Sequence, residues 1–385
     1  MKEPRYTPRQ MLEKLIAFPT VSRDSNLDLI IFVEEYLAAY GVPFKRVSSD
    51  CGQKANLYAT IGPMEPGGVV LSGHTDVVPI DDQDWHTDPF KLTEKDGLLY
   101  GRGTCDMKAF SAIALALVPE MSKLKRPIHL ALSYDEEVGC LGAPRLIDTI
   151  KNELPGVRAV FVGEPTSMQV VTGHKSILHF DTRITGREAH SSQQHRGVPA
   201  VMVAGRLINW LSEKQRANAA NADPLSAFEP PYSTLHCGVI HGGTALNITA
   251  RHCDFVTDIR TLPHEDAMTY FREYEDFVRD VVEPEMHAVS SDTGIEIEIH
   301  ANVPGFDSPE NGEAVQLAKQ LSGQNTTVVA PYAAESGQFQ KAGFSVAMCG
   351  PGSIDQAHQP DEYISIEQLE QGTEFTRRLI QLQSS

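Results

Sequence analysis

The chain has 385 residues, 41% of them apolar and 22% charged, with 33 Lys and Arg against 51 Asp and Glu for a formal net charge of −18. That length exceeds what one hydrophobic core usually serves, so two domains are expected. The negative excess disfavours nucleic acid and anionic membrane surfaces as partners, and no apolar run reaches the roughly 18 residues a transmembrane helix requires. The opening MKEPRYTPRQMLEKL carries no apolar signal core, so a cytoplasmic location is expected. Six scattered cysteines without a C-x-x-C pair read as reduced thiols, which disfavours a disulfide framework or a cysteine zinc site.

In chain order, residues 8 to 17 and 27 to 40 read as helices; in the second, Leu29, Val33, Tyr36 and Tyr40 recur at helical spacing and Gly41 is the stop. ANLYATIG (55 to 62) and GVVLS (68 to 72) read as strands. DMKAFSAIALALVPE (106 to 120) suits a buried helix with Asp106 near its start. A strand at 127 to 134, the helix GAPRLIDTI and a strand at 158 to 163 follow; far downstream come a helix at 312 to 322 and a strand at 344 to 349. Alternating strands and helices predict an α/β domain with a mixed, mainly parallel sheet and helices on both faces. The interval between differs. SILHFDTRITG alternates in polarity, GVPAVMVAGRLINWLSEK is helical, STLHCGVI and HCDFVTDIR are strands, 263 to 282 is helical and GIEIEIHA is a strand. That β-α-β-β-α-β order predicts a ferredoxin-like α+β domain at 176 to 302, inserted into a domain built from 1 to 175 and 303 to 385.

The ends of the predicted strands carry the chemistry. VVLSG runs into His74 and Asp76, HLALSY into Asp135, Glu136 and Glu137, and AVFVG into Glu164; the loop after SVAMCG reaches His358. Asp106 follows the glycine-rich GRGTC. In open α/β sheets, ligands bind outside the carboxyl ends of the strands. Acids gathered there need a cation, because each uncompensated buried ion costs several kcal/mol. Imidazole plus carboxylate without thiolate suits zinc, with cobalt or manganese as substitutes. Two ions are then expected, held by His74, Glu137, Glu164 and His358 and bridged by Asp106. Glu136 is left as general base toward water, and Asp76 as the group that orients the His74 ring.

The motifs GHTDVVP, GRGTCDMK, SYDEEVG, VGEPT, REAHSS and QAHQPDEY span residues 71 to 363 in order. Together they resemble the dinuclear zinc metallopeptidase family that contains aminoacylases, carboxypeptidase G and several N-acyl amino acid deacylases. The resemblance implies the same ligand set (His74, Asp106, Glu137, Glu164, His358), Glu136 as base and Asp76 behind His74. It also implies that the inserted domain is a lid and the surface of a homodimer, with His190 reaching a catalytic site to stabilise the oxyanion. Its expected substrate is a small N-acyl amino acid. The runs WHTDPFKLTEKDGLLYGRGTCDMKAF, PTSMQVVTGHKS, CGVIHGGTALNI, YAAESGQF and CGPGSIDQAHQPDEY resemble the deacetylase members.

Asn247 and Arg260 are candidates for the substrate carboxylate, arginine because its fork donates two parallel hydrogen bonds. Gly243 would permit close backbone approach or a tight turn, and Glu335 is a candidate for a substrate amine or for a hydrogen bond near the metals. Desuccinylase, aminoacylase or dipeptidase activity are the alternatives within this chemistry; a non-catalytic metal-binding protein is the alternative outside it. No G-x-S-x-G elbow supports a serine hydrolase.

Overall fold

The computed structural model describes residues 4–385. The chain forms two compact units. One runs through Gly173 and resumes over Phe306–Val329 and Ala334–Ser385; the other comprises His174–Gly305 and Ala330–Ala333.

A nine-stranded sheet organises the first unit. Its order is Phe44–Ser48, Ala55–Ile61, Ile128–Ser133, Val69–His74, Ala159–Pro165, Val346–Gly350, Val170–His174 and Phe306–Asp307, with Thr327–Ala330 added beside Val170–His174. The four strands from Ile128–Ser133 to Val346–Gly350 run parallel, and antiparallel partners flank them. Those four are buried along their whole length. This explains why they read as unbroken apolar runs, as strands covered on both faces do.

Leu57, Leu71, Leu130 and Phe161 share one core with the helices Pro8–Ile16, Leu27–Ala39, Lys108–Ala116, Glu313–Ser322 and Ile366–Gln383. The helices Ala143–Glu153 and Ser336–Lys341 pack against each other and the sheet outside that core. A small sheet of Thr93–Lys95, Leu98–Tyr100 and Tyr363–Ser365 ties the first third of the chain to its last stretch.

The second unit has the order Ile177–Thr185, Ala200–Ala220, Thr234–Gly242, His252–Arg260, Ala267–Val289 and Gly294–Val303. Its antiparallel sheet places Ile177–Thr185 between His252–Arg260 and Gly294–Val303, the split arrangement of a ferredoxin-like module. Phe180, Leu207, Phe255 and Tyr274 fill its separate core.

Several element limits differ from the sequence reading; the helix read over 197 to 214, for example, is Ala200–Ala220. The helix expected from Asp106 begins at Lys108, so Asp106 lies in the turn before it. The helix expected from 263 begins at Ala267, where the Asp266 side chain accepts a hydrogen bond from Met268 N. It then continues beyond 282 to Val289 through a widened turn at Val278–Val282.

Candidate metal centre

The carboxyl ends of the parallel strands open along one sheet edge. His74 ends its strand, and Glu164 stands near the end of the neighbouring one. Ser72 is registered opposite Val162, so His74 and Glu164, two residues further along, lie side by side. His74, Asp106 and Glu164 each offer a ligand atom within 4.8 Å of the others; Asp106, Glu137 and His358 form a second such triad. Asp106 belongs to both. Its Oδ1 is 3.0 Å from His74 Nε2 and its Oδ2 is 3.3 Å from His358 Nε2. His358 Nε2 is also 2.9 Å from Glu137 Oε2. All five expected ligands therefore meet, although they come from five separate stretches of sequence.

The electrostatics are those of a concentrated acid cluster. Burial and the nearby Asp106 raise Glu137 to about 7. Burial, with repulsion from Asp106 and Glu136, raises Glu164 well above the carboxylate range. Glu136 is raised well above it too, by burial and then by Glu137 and Asp106 against the opposing pull of His74. Asp106 is the exception: burial pushes it up, but hydrogen bonds from His358 and His74 hold it below its ordinary value. Those bonds to Asp106 and Glu137 lift His358 to about 10.

Two carboxylate oxygens, Glu137 Oε1 and Glu164 Oε1, are buried without a hydrogen-bond partner, one in each triad. Buried polar atoms are rarely left so. Orphaned oxygens beside imidazole nitrogens and a shared carboxylate fit a pair of divalent ions, and the absence of thiolate fits zinc or a similar cation.

Residues 70–382 match the sequence profile of Peptidase family M20/M25/M40. This chain belongs to that family. Acetylornithine deacetylase of Shigella sonnei is 36% identical over 370 residues, covering 92% of each chain. Among solved structures, the M20 family metallo-carboxypeptidase Sso-CP2 of Sulfolobus solfataricus superposes with a TM-score of 0.79 at 18% identity, covering 98% of this chain and 99% of that one. The YXEP protein of Bacillus subtilis, described as a dinuclear metal binding peptidase of the M20 family, gives 0.66 at 16% identity, with 97% of each chain covered. The M20 chain described here is a metal-dependent hydrolase.

Asp76 works differently from expectation. The His74 Nδ1–H donates to the main-chain oxygen of Asp76 at 2.9 Å, while the Asp76 carboxylate lies 3.6 Å from that nitrogen. The carboxylate instead accepts from Ser22 Oγ (2.7 Å), Glu136 N (3.2 Å) and Glu137 N (3.3 Å). It anchors the turn that carries the expected base and one ligand. Glu335 hydrogen-bonds beside the site. It is 1% exposed, and its two oxygens accept from Ser72 Oγ at 3.0 Å and from Ser133 Oγ. It braces two site strands and offers no free face to a substrate amine.

In the second unit, the His190 and Asn247 segments adjoin: Ser191 N donates to Asn247 O at 3.0 Å, and both side chains stand in exposed positions. Gly243 adopts φ +78°, which suits a residue without Cβ. Arg260 is half-buried, and its Nε donates to both oxygens of Asp258.

The sequence reading passed over Glu362. It is 1% exposed. Its Oε1 accepts from Cys105 N (2.8 Å) and Asp106 N (3.0 Å); its Oε2 accepts from Gly103 N (3.0 Å) and the buried Arg102 guanidinium (2.7 Å). Asp106 precedes its helix, and this carboxylate holds the backbone of that turn. The signal was an acid four residues after His358, inside a motif already quoted.

Proposed function

We propose that this hydrolase removes the acetyl group from N2-acetyl-L-ornithine, giving L-ornithine and acetate within arginine biosynthesis, with two zinc ions per subunit. The observation that carries this reading is the pair of triads sharing Asp106, with the Glu136 carboxylate next to them in sequence and outside both. The 36% identical relative named acetylornithine deacetylase supports the substrate.

In this reading His74, Asp106 and Glu164 hold one ion, and Asp106, Glu137 and His358 the other. Bound there, the ions supply Lewis-acid polarisation of the amide carbonyl and lower the pKa of the attacking water. Glu136 takes a proton from that water as its oxygen bonds to the carbonyl carbon. It returns the proton to the amine nitrogen as the C–N bond breaks. A carboxyl whose pKa is lifted by burial suits a group that must hold a proton between those two steps.

The same proposal gives His190 the oxyanion, contributed across a homodimer, and gives Asn247 and Arg260 the substrate carboxylate. Ser192 N–H donates to His190 Nδ1 at 3.2 Å, so a neutral ring carries its hydrogen on Nε2, the donor an oxyanion needs. A cytoplasmic location goes with this assignment.

The test is amine release by zinc-loaded protein from N2-acetyl-L-ornithine and N-succinyl-L,L-diaminopimelate in parallel, with a chelator control. Chelator-sensitive turnover of the acetyl substrate alone is expected. Turnover of the succinyl substrate instead would sink the assignment while sparing the metal chemistry. Glu136→Gln is expected to keep its metal and lose turnover by about 10²-fold or more.

A further inference from the structure

Cys140 closes the turn that begins at Glu136. Its N–H donates to Glu136 O at 2.8 Å, and its own carbonyl accepts from Gln338 Nε2 at 3.2 Å. Its thiol is 3.2 Å from Glu136 Oε1. Among the described residues, no other hydrogen bond to the Glu136 carboxylate is found. Cys140 is 1% exposed and free of any disulfide. Burial and the neighbouring Glu136 and Glu335 push the thiol well above its ordinary pKa, so the sulfur keeps its hydrogen.

The backbone makes this residue choice costly. Cys140 sits at φ +53°, in the left-handed region that disfavours a side chain with Cβ and suits glycine. Both of its backbone hydrogen bonds are ones that glycine makes equally well. What glycine lacks is the thiol. A residue kept in a strained conformation next to a reacting group points to a role for its side chain.

We propose that the Cys140 thiol is a positioning group for Glu136, donating its hydrogen to Oε1 and fixing the carboxylate rotamer used in the proton transfers. This rests on the reading of Glu136 as the general base. With one oxygen tied down by a weak donor, the second oxygen is left to take the proton. A sulfur donor leaves the carboxylate basic where a cation would not.

The experiment compares Cys140→Gly, Cys140→Ala and Cys140→Ser with Glu136→Gln in the zinc-loaded full chain. It measures kcat and KM on N2-acetyl-L-ornithine, bound zinc and thermal midpoint. The glycine and alanine variants are expected to keep their zinc and KM while losing about tenfold or more in kcat, the scale of a misoriented catalytic group. The serine variant, which restores a donor, is expected to recover most of kcat. The glycine variant is expected to melt no lower than the parent, because its backbone strain is relieved. Unchanged kcat in the glycine and alanine variants, with Glu136→Gln inactive, overturns the positioning role and leaves the base assignment standing. Loss of zinc and thermal midpoint in step with kcat overturns it in favour of a structural role. Full activity of Glu136→Gln overturns the base assignment and this inference together.

Discussion

Glu362 offers the sharpest test of how the site is held. Replacing it by Leu removes four interactions at once: three with the amides of Gly103, Cys105 and Asp106, and one with Arg102. Both members of the ion pair are 1% exposed. Breaking such a pair from one side leaves an uncompensated buried charge and costs about 3 to 5 kcal/mol. The orphaned amides add about 1 kcal/mol or more each, less than additively. An increase of about 4 kcal/mol in favour of local opening corresponds to roughly a thousandfold faster amide exchange at those three positions. Hydrogen exchange resolved to residues 101–107 reads this directly, with the strand Val69–His74 as internal reference. Exchange within about threefold of the parent would refute the clamp, since even one neutral hydrogen bond lost should exceed that. The double variant Arg102→Met, Glu362→Leu separates the charge from the amides. It should recover part of the loss, because no charge is left unpaired, but not the part owed to the three N–H groups.

Removing the metal with a chelator should lower the thermal midpoint, because ligand held at a thousand times its Kd contributes about 4 kcal/mol. Zinc should restore the midpoint, and Asp106→Asn, which loses the shared ligand charge, should show little chelator response. Gly163→Ala should destabilise the fold by about 1 to 3 kcal/mol through overpacking, since a Cβ there would stand 2.1 Å from the Phe110 ring. In a Phe110→Ala background, which removes the ring from Cγ outward, Gly163→Ala should cost little if the clash is the cause. His129 is fully buried, bonded through Nδ1 to Thr60 at 2.9 Å, and burial pushes it down to about 4 from 6.5. The unfolded chain therefore takes up a proton that the folded chain refuses, so stability is complete above pH 6.5 and falls by about 3 kcal/mol as pH drops to 4. Urea midpoints of the parent and His129→Leu from pH 7 to 4 should converge as pH falls; parallel curves would contradict this.

The parts legible in the sequence were those where one local pattern decides. Parallel strands buried on both faces read as apolar runs, and the residues that break those runs, His74 and Glu164, are the ones that leave the sheet for the site. The strand order of the second unit was legible for the same reason: SILHFDTRITG alternates because it is covered on one face. What escaped depends on contacts across long sequence separations. Glu362 clamps residues about 260 positions earlier in the chain, and no periodicity marks such a bond. Asp76 kept the expected location, but its carboxylate turned to the Glu136 and Glu137 amides, a choice made by the turn geometry. The helix Ile366–Gln383 was not read, although Leu369, Phe375 and Leu379 give it a buried face. The two roles open to Glu335 were not separable in the sequence, because its partners, Ser72 and Ser133, look like ordinary strand residues until the sheet places them together.

The charge pattern around the site links these observations. Seven acids, Asp76, Asp106, Glu136, Glu137, Glu164, Glu335 and Glu362, gather near one sheet edge, and three are satisfied by the chain itself, Asp76 by the Ser22 hydroxyl and the Glu136 and Glu137 amides. Glu362 has Arg102 and three amides; Glu335 has two serine hydroxyls. The other four have the imidazoles of His74 and His358 and the Cys140 thiol, and two of their oxygens have no partner. Four carboxylates against two imidazoles call for added positive charge, and protons alone meet that only by neutralising the acids. Two divalent cations would meet it while leaving Glu136 ionised and able to act as a base. On this argument the unpaired oxygens mark the ion positions, and the satisfied acids are the frame around them. Neutralising a frame acid should therefore loosen the fold locally, whereas neutralising Asp106, Glu137 or Glu164 should weaken metal binding with little loss of fold stability in the metal-free protein.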